Sequence, residues 1–203
     1  MKLYYAPGTC SLASHIAARE AGIELDLVKV DIRGKRTEAG EDFLAINPKG
    51  YVPALRLDDG ALLTEGTAIT QFLADLAPQS GLAPANGSIA RYQLQSMLGY
   101  INSELHKNYG PLFNPAIGAD ARAERIEALQ RRYQLIEAQL EAGPYLDGER
   151  FSIADAYLFV VTRWASMLRV DLSAFPKLAA FQDRVAARPA VQAAMRAEGL
   201  LKG

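Results

Sequence analysis

The sequence predicts two folded units of different class, an α/β domain followed by a domain built only from helices. Three observations predict it: strand-like and helix-like segments alternate over residues 1–78, a segment rich in Pro, Gly, Ser, Asn and Gln follows, and only helical periodicity comes after it. We therefore place an α/β domain at residues 1–78, a linker at 79–87 and an all-helical domain at 88–203.

The first domain opens with a βαβ unit. Residues 2–6 are rich in aromatic side chains, a Pro-Gly turn breaks them, and residues 10–21 repeat apolar positions at helical spacing. Gly22 supplies the helix stop, and residues 25–30, rich in Leu and Val, form the second strand. Because a helix connects the two strands, they are expected to pair in parallel.

A hairpin and a further helix complete the domain. Residues 52–55 read as a strand, a turn at residues 58–60 reverses the chain, and residues 61–63 return. A helical repeat then begins after Thr64 and Glu65 and is closed by Pro78. The predicted sheet is therefore mixed and four-stranded, with a short helix expected before the hairpin.

The second domain shows helical periodicity throughout. The predicted helices cover residues 89–109, 120–141, 153–168 and 176–187, with a short tail helix after them. Ser152 and Asp155 stand three residues apart at one of these starts, which is typical of a capping hydroxyl and a carboxylate that bind free amides. Their predicted role is structural.

Composition excludes several classes of function. The chain carries 22 basic and 23 acidic residues without a basic stripe, so a nucleic-acid partner is not expected. Its longest apolar run, residues 156–161, is far too short to cross a membrane, and the N-terminus lacks the pattern of a signal peptide. A single cysteine excludes an intramolecular disulfide and favours a reducing compartment, so we expect a cytoplasmic protein.

Cys10 is the main candidate for chemistry. It follows a Pro-Gly turn at the predicted start of the first helix, where free amides and the helix dipole favour a thiolate. We therefore expect a pKa below that of a free cysteine. A second interpretation, a buried cysteine that only packs, stays open. No second thiol completes a Cys-x-x-Cys pair, so any disulfide would involve an external thiol.

Four motifs, in this order, extend over essentially the whole chain. They are Tyr4-Tyr5-Ala6-Pro7-Gly8-Thr9-Cys10-Ser11, Asn47-Pro48-Lys49-Gly50-Tyr51-Val52-Pro53-Ala54-Leu55, Leu63-Thr64-Glu65-Gly66-Thr67-Ala68-Ile69 and Phe151-Ser152-Ile153-Ala154-Asp155. With them the chain resembles the glutathione transferases, and Cys10 together with residues 103–107 is most similar to the bacterial beta class. The resemblance implies a thioredoxin-like first domain, a helical-bundle second domain, a homodimer, glutathione as co-substrate, and neither a metal nor a redox cofactor.

The resemblance also implies glutathione contacts in the first domain. Val52 before a cis Pro53 pairs through its backbone with the cysteinyl part, although the proline could also simply open an edge strand. Glu65 and the amide of Gly66 hold the γ-glutamyl end, where Gly66 lacks the hydroxyl of the usual Ser or Thr; the alternative is that Thr64 and Glu65 only cap the helix. Lys35 reaches the glycyl carboxylate, while by itself it reads as a solvated lysine.

In the second domain the resemblance implies contacts from Ser103, Glu104, Leu105 and His106, partly from the neighbouring subunit. His106 is expected to donate a hydrogen bond near the sulfur, from a helix face shared with Ser103. Gly99 replaces the Asn that is more usual one turn earlier, which weakens the contact expected there. His15 lies on another face of its helix from Cys10, and we interpret it as structural.

Three functions remain compatible with the sequence. The first is attack of the glutathione thiolate, stabilised by Cys10 and His106, on a hydrophobic electrophile in an apolar pocket. The second is thiol transfer, in which Cys10 itself forms a mixed disulfide with glutathione. The third is a regulatory or scaffold protein that uses the fold for contacts only. Tyr5 is a competing thiolate stabiliser, although its strand position is more simply explained by the core.

Overall fold

The computed structural model describes residues 1–201 and divides the chain into two compact units. The first comprises Met1–Ala83 and a C-terminal segment, residues 187–201, and the second is Pro84–Ala186. The C-terminal segment thus differs from the sequence-based division, which assigned it to the helical domain. The reason is packing: the last helix buries Val191, Ala194 and Met195, and it lies against the first helix of the chain.

The first unit contains a five-stranded sheet. Its strands are β1 (Lys2–Tyr5), β2 (Asp26–Asp31), β3 (Arg36–Thr37), β4 (Ala54–Arg56) and β5 (Leu62–Thr64). They lie in the order β3-β2-β1-β4-β5, with β1 and β2 parallel and the remaining neighbours antiparallel. The βαβ unit and the hairpin are confirmed, so the sheet is mixed as predicted.

The prediction of four strands was wrong by one short strand, β3. It lies in the polar stretch after β2 and pairs through Val30 with Thr37 and through Asp31 with Arg36. Only Thr37 of its two residues is buried, so no alternation of apolar and polar side chains marks it in the sequence.

Helices cover the sheet of the first unit. They are α1 (Ser11–Glu20), α2 (Phe43–Ile46) and α3 (Gly66–Leu76), with α9 (Pro189–Ala197) added from the C-terminal segment. α1 packs against both α3 and α9, and Leu12, Ile16 and Leu73 are fully buried. Phe43 of α2 packs with Tyr4, their ring centroids 5.8 Å apart. The buried sheet and α1 fix the turn that carries Cys10.

The second unit is helical, as predicted. Its α-helices are α4 (Ile89–Tyr100), α5 (Lys107–Tyr109), α6 (Ala119–Gln139), α7 (Ile153–Met167) and α8 (Pro176–Ala186), and the segment Ile101–His106 between α4 and α5 is π-helical. α7 is buried over most of its length, which explains its apolar sequence. Among residues 1–201, no helix combines the length and the apolar character that crossing a membrane requires.

The predicted cap of α7 is confirmed. The Ser152 hydroxyl accepts a hydrogen bond from the amide of Ala154 at 3.2 Å, and the Asp155 carboxylate accepts one from the amide of Ser152 at 2.8 Å. Asp155 also accepts from the amide of Leu146 at 2.8 Å, which ties the preceding loop to the helix start. Burial raises the pKa of Asp155 to about 6, although these hydrogen bonds act in the opposite direction.

Candidate functional site

Cys10 is the N-cap residue of α1 and is partly exposed, and its side chain makes no capping hydrogen bond. The turn before it favours a glycine, because Gly8 has a φ of +70°. The amide of Gly8 donates to the Glu198 carboxylate at 3.0 Å. The Thr9 hydroxyl donates to the carbonyl of Ala6 at 2.9 Å. These bonds fix the backbone from which the sulfur projects.

The thiol of Cys10 donates to the carbonyl oxygen of Val52, with 3.3 Å between sulfur and oxygen. The peptide bond between Val52 and Pro53 is cis, as the sequence motif implied. The Val52 side chain is buried, so this residue presents only backbone groups beside the sulfur.

The expected lowering of the Cys10 pKa was wrong for the protein without ligand. Burial raises the pKa of Cys10 to about 12. It outweighs the amides of Cys10 and Ser11, which lower the pKa as the helix start predicts. The negative charge of Glu65 makes a smaller contribution in the same direction as burial. Cys10 is therefore a neutral thiol at pH 7, and its S–H group is a hydrogen-bond donor.

Glu65 stands at the start of α3 with a φ of +70°. Its side chain makes no capping hydrogen bond, so the interpretation of Glu65 as a side-chain cap was wrong. Its carboxylate instead accepts from Lys49 Nζ at 2.6 Å, and Lys49 Nζ also donates to the Thr64 hydroxyl at 3.0 Å. The Glu65 side chain is 66% exposed, so a ligand ammonium can reach it in place of Lys49.

Gly66 is the first residue of α3, and the space around it shows whether a residue with a side chain would fit there. A Cβ at this position would lie 3.5 Å from Pro53 Cγ, which is an ordinary van der Waals distance. The backbone therefore does not require a glycine here. The contact also shows that the start of α3 lies beside the cis proline and hence beside Val52 and Cys10.

Lys35 is not simply a solvated lysine. Its φ is +52°, its Nζ donates to the carbonyl of Gly50 at 2.8 Å, and Nζ lies 5.4 Å from the ring centroid of Tyr51. The side chain thus ends next to the segment that leads to Val52. In the first unit, contacts thus link Cys10 to Val52, Gly66 to Pro53, and Lys35 to Gly50. The charge of Glu65 acts on Cys10.

In the second unit, His106 lies at the end of the π-helical segment and is half-buried. Its Nδ1 is 2.6 Å from the Tyr157 hydroxyl, and its ring meets the Trp164 ring edge to face at 4.9 Å. Burial, with a smaller contribution from the charge of Lys107, lowers the pKa of His106 to about 4. His106 is therefore neutral at pH 7.

The three residues before His106 differ in exposure and in their hydrogen-bond partners. Ser103 is exposed, whereas Leu105 is fully buried and serves the core of this unit. The Glu104 carboxylate accepts from Arg132 Nε at 2.9 Å, so its charge already has a partner.

Two other candidates from the sequence, His15 and Tyr5, are both buried. His15 is 1% exposed, with its Nδ1 3.0 Å from the Glu198 carboxylate, so the structural interpretation is confirmed. Tyr5 is buried, and burial raises its pKa, with the charges of Glu198 and Glu38 acting in the same direction. Burial therefore works against a catalytic Tyr5.

Sequence reasoning missed Lys49 and Tyr157. Lys49 stands within a motif, but its pairing with Glu65 depends on a fold that joins positions 16 residues apart. Tyr157 lies 51 residues from His106 in sequence, and no local pattern links the two. Among residues 1–201, no group of three or more His, Cys, Asp or Glu residues is arranged to hold a metal ion.

Comparison with known proteins matches both units to one family. Residues 8–76 match the glutathione S-transferase N-terminal domain, and residues 100–189 match the glutathione S-transferase C-terminal domain. Glutathione S-transferase GstA of Escherichia coli O157:H7 is 49% identical over 200 residues, which cover 98% of this chain and all of that protein.

Solved structures agree with the sequence match. The sphingomonad glutathione S-transferase complexed with glutathione superimposes with a TM-score of 0.94 at 48% identity, over 99% of this chain and 100% of that chain. The bacterial beta class enzyme of Sphingomonas chungbukensis gives a TM-score of 0.95 at 45% identity, with the same coverage. The chain therefore belongs to the glutathione S-transferase family and is most similar to the bacterial beta class.

Proposed function

We propose that this protein is a transferase in which the sulfur of glutathione, and not that of Cys10, attacks a hydrophobic electrophile. The observation that carries the proposal is the place of Cys10: it stands at the start of α1, and its thiol donates to the carbonyl of Val52 at 3.3 Å. A neutral S–H group is a poor nucleophile, but it can donate a hydrogen bond to a neighbouring thiolate. Cys10 then stabilises the glutathione anion.

The first unit supplies groups for each part of a zwitterionic tripeptide. We assign the carbonyl and amide of Val52 to the cysteinyl backbone, Glu65 and the amide of Gly66 to the γ-glutamyl end, and Lys35 to the glycyl carboxylate. Glutathione in the solved sphingomonad enzyme supports this ligand. The Glu65 carboxylate exchanges Lys49 for the ligand ammonium, so its negative charge is compensated in both states.

From the second unit, Ser103, Glu104, Leu105 and His106 contribute to the same ligand, partly across a homodimer. Leu105 is buried, so we assign it a backbone role. We also propose a cytoplasmic location, where glutathione is available. Sedimentation at micromolar concentration tests the dimer, and a monomer at that concentration would contradict it.

Calorimetric titration with glutathione and an assay with a generic aryl halide test the function. We expect binding and conjugation in the wild type, and a loss of about tenfold or more in kcat for Cys10→Ala, because a hydrogen bond to a charged group is removed. Cys10→Ser is the matched control: it keeps a donor and should retain more activity than Cys10→Ala. Absence of both binding and conjugation would overturn the proposal.

Thiol transfer is the second candidate, because Cys10 is partly exposed and its sulfur is free. The high pKa of Cys10 argues against it, since attack on a disulfide needs a thiolate. Mass spectrometry after exposure to oxidised glutathione decides between the two, with Cys10→Ala as the control. We expect no adduct in the time of the conjugation assay, and an adduct on wild type alone would favour thiol transfer.

A further inference from the structure

The hydroxyl of Tyr157 joins two residues of the π-helical segment. It donates to Asn102 Oδ1 at 2.9 Å, and its oxygen lies 2.6 Å from His106 Nδ1. Tyr157 belongs to α7 and is 5% exposed, so its hydroxyl is held in place by the core of the second unit. The π-helical geometry allows Asn102 and His106 to reach one oxygen, and such segments are frequent at functional sites.

A count of hydrogens fixes the state of His106. A tyrosine hydroxyl has one hydrogen, and here it is directed at Asn102 Oδ1. The hydroxyl oxygen can therefore only accept from His106, so the hydrogen of the neutral imidazole is on Nδ1. Nε2 then carries a lone pair, and no residue among 1–201 forms a hydrogen bond with it.

The surroundings of the ring keep it neutral and oriented. Tyr157 and Trp164 meet the imidazole edge to face, with ring centroids at 5.9 and 4.9 Å. Burial disfavours the imidazolium form, in agreement with a His106 pKa of about 4. The imidazole is thus a neutral ring in which Nδ1 is hydrogen-bonded and Nε2 can accept a hydrogen bond.

We propose that Tyr157 and Asn102 are positioning residues that hold His106 as the Nδ1–H tautomer, so that Nε2 accepts a hydrogen bond from the thiol of bound glutathione. The second half of this statement rests on the proposed function, whereas the tautomer does not. The proposal reverses the donor role that sequence resemblance gave to His106. While glutathione is still protonated, Cys10 donates to its sulfur and His106 accepts from its S–H group. Once that thiol has lost its proton, only the hydrogen bond from Cys10 remains.

The tautomer can be measured directly by long-range ¹H–¹⁵N NMR on protein labelled in histidine. The chain has only His15 and His106, and His106→Gln assigns the signals. We expect a protonated Nδ1 and an unprotonated Nε2 for His106 in the wild type. A protonated Nε2 would overturn the proposal.

Tyr157→Phe removes the hydroxyl and keeps the ring. We expect the ratio of Nε2–H to Nδ1–H tautomer to rise about tenfold, because the hydrogen bond that selects Nδ1–H is lost. Tyr100→Phe is the matched control: it removes another hydroxyl of the same unit, one that donates to the carbonyl of Arg132 at 2.9 Å. Equal tautomer ratios in Tyr157→Phe and wild type would overturn the role of Tyr157.

Two variants of Asn102 test the direction of the hydrogen bonds. Asn102→Asp offers only acceptor oxygens, so Tyr157 must still donate to it and the Nδ1–H tautomer should persist. Asn102→Leu frees the hydroxyl hydrogen, which can then turn to Nδ1 and favour Nε2–H. If Asn102→Asp instead shifts His106 to Nε2–H, the Asn102 amide donates in the wild type and the proposal is wrong.

Ligand titrations separate this inference from the proposed function. Glutathione should move the Nε2 signal of His106, whereas S-methylglutathione, which has no S–H group, should move it much less. Equal shifts with both ligands would contradict the acceptor role. If calorimetry detects no glutathione binding at all, the proposed function fails and with it the acceptor role, while the tautomer measurement still decides the roles of Tyr157 and Asn102.

Discussion

Cys10 in the first unit and His106 in the second show opposite responses to the same physical cause. Burial raises the pKa of Cys10 to about 12 and lowers the pKa of His106 to about 4. Loss of water disfavours a charge of either sign, so an acid is kept protonated and a base is kept unprotonated. Both side chains are therefore neutral at pH 7 in the protein without ligand.

The two sites differ in what opposes the effect of burial. At Cys10, the amides of Cys10 and Ser11 stabilise a thiolate, as expected for a helix start. At His106, the nearest polar partner is the neutral hydroxyl of Tyr157, and the charge of Lys107 disfavours the imidazolium. The Cys10 turn is thus arranged for an anion, whereas the surroundings of His106 offer no compensation for a cation.

The largest expected effect is the slow alkylation of Cys10. A pKa of about 12, compared with the ordinary 9.0 of a cysteine thiol, lowers the thiolate fraction at pH 7 about a thousandfold. We expect iodoacetamide to label the folded protein about a thousandfold more slowly than the urea-unfolded chain, measured by intact mass. Because the chain has one cysteine, each adduct reports on Cys10. Similar rates in both states would show that burial does not dominate.

The sequence allowed a good prediction of how Cys10 is placed but not of its ionisation. The Pro-Gly turn and the apolar repeat after it are local signals, and they located the start of α1 within one residue. Desolvation depends on every atom that surrounds the sulfur, including the distant Val52 carbonyl, and no local pattern records it. The same limit explains why the link from Tyr157 to His106 was missed.

The fold shows the same difference between local features, which could be predicted, and long-range contacts, which could not. The hairpin and the Ser152 cap are short-range features and could be predicted from spacing. The packing of α9 against α1 joins the two ends of the chain, so the tail helix could be predicted as a helix but not assigned to its unit. β3 was missed because two residues carry no periodicity.

The second expected effect is a contribution of His106 to stability that depends on pH. Between pH 6.5 and about 4 the unfolded chain binds a proton at this histidine and the folded protein does not, so stability falls as the pH falls. The shift corresponds to about 3 kcal/mol in the free energy of unfolding. We expect His106→Gln to lack this loss, so its stability relative to the wild type should rise as the pH falls through this range.

The stability of the wild type should be compared with that of His106→Gln, because Asp155 also makes stability depend on pH in this range. The pKa of Asp155 in the folded protein, about 6, lies above the usual 3.8, so its contribution to stability grows as the pH falls from about 6 to 3.8. This opposes the effect of His106 in the same range. Because wild type and His106→Gln share Asp155, its contribution cancels. A difference that stays constant from pH 7 to 4 would contradict a buried, neutral His106.

The smallest expected effect concerns Glu198, which connects the C-terminal segment to the Cys10 turn. Its carboxylate accepts from the amide of Gly8 at 3.0 Å and lies 3.0 Å from His15 Nδ1, and Glu198 is 5% exposed. Glu198→Ala removes both interactions, and we expect a loss of about 2 kcal/mol in the free energy of unfolding by urea. Glu198→Gln keeps one acceptor oxygen and should lose about half as much.

The same pair of variants tests whether the turn keeps Cys10 neutral. Gly8 lies two residues before Cys10, so a turn released from Glu198 should admit water to the sulfur and weaken the effect of burial on its pKa. We therefore expect iodoacetamide to label Cys10 faster in Glu198→Ala than in Glu198→Gln, at a urea concentration where both stay folded. If Glu198→Ala loses stability but labels at the wild-type rate, then α1 and Val52 hold the sulfur without help from the C-terminal segment.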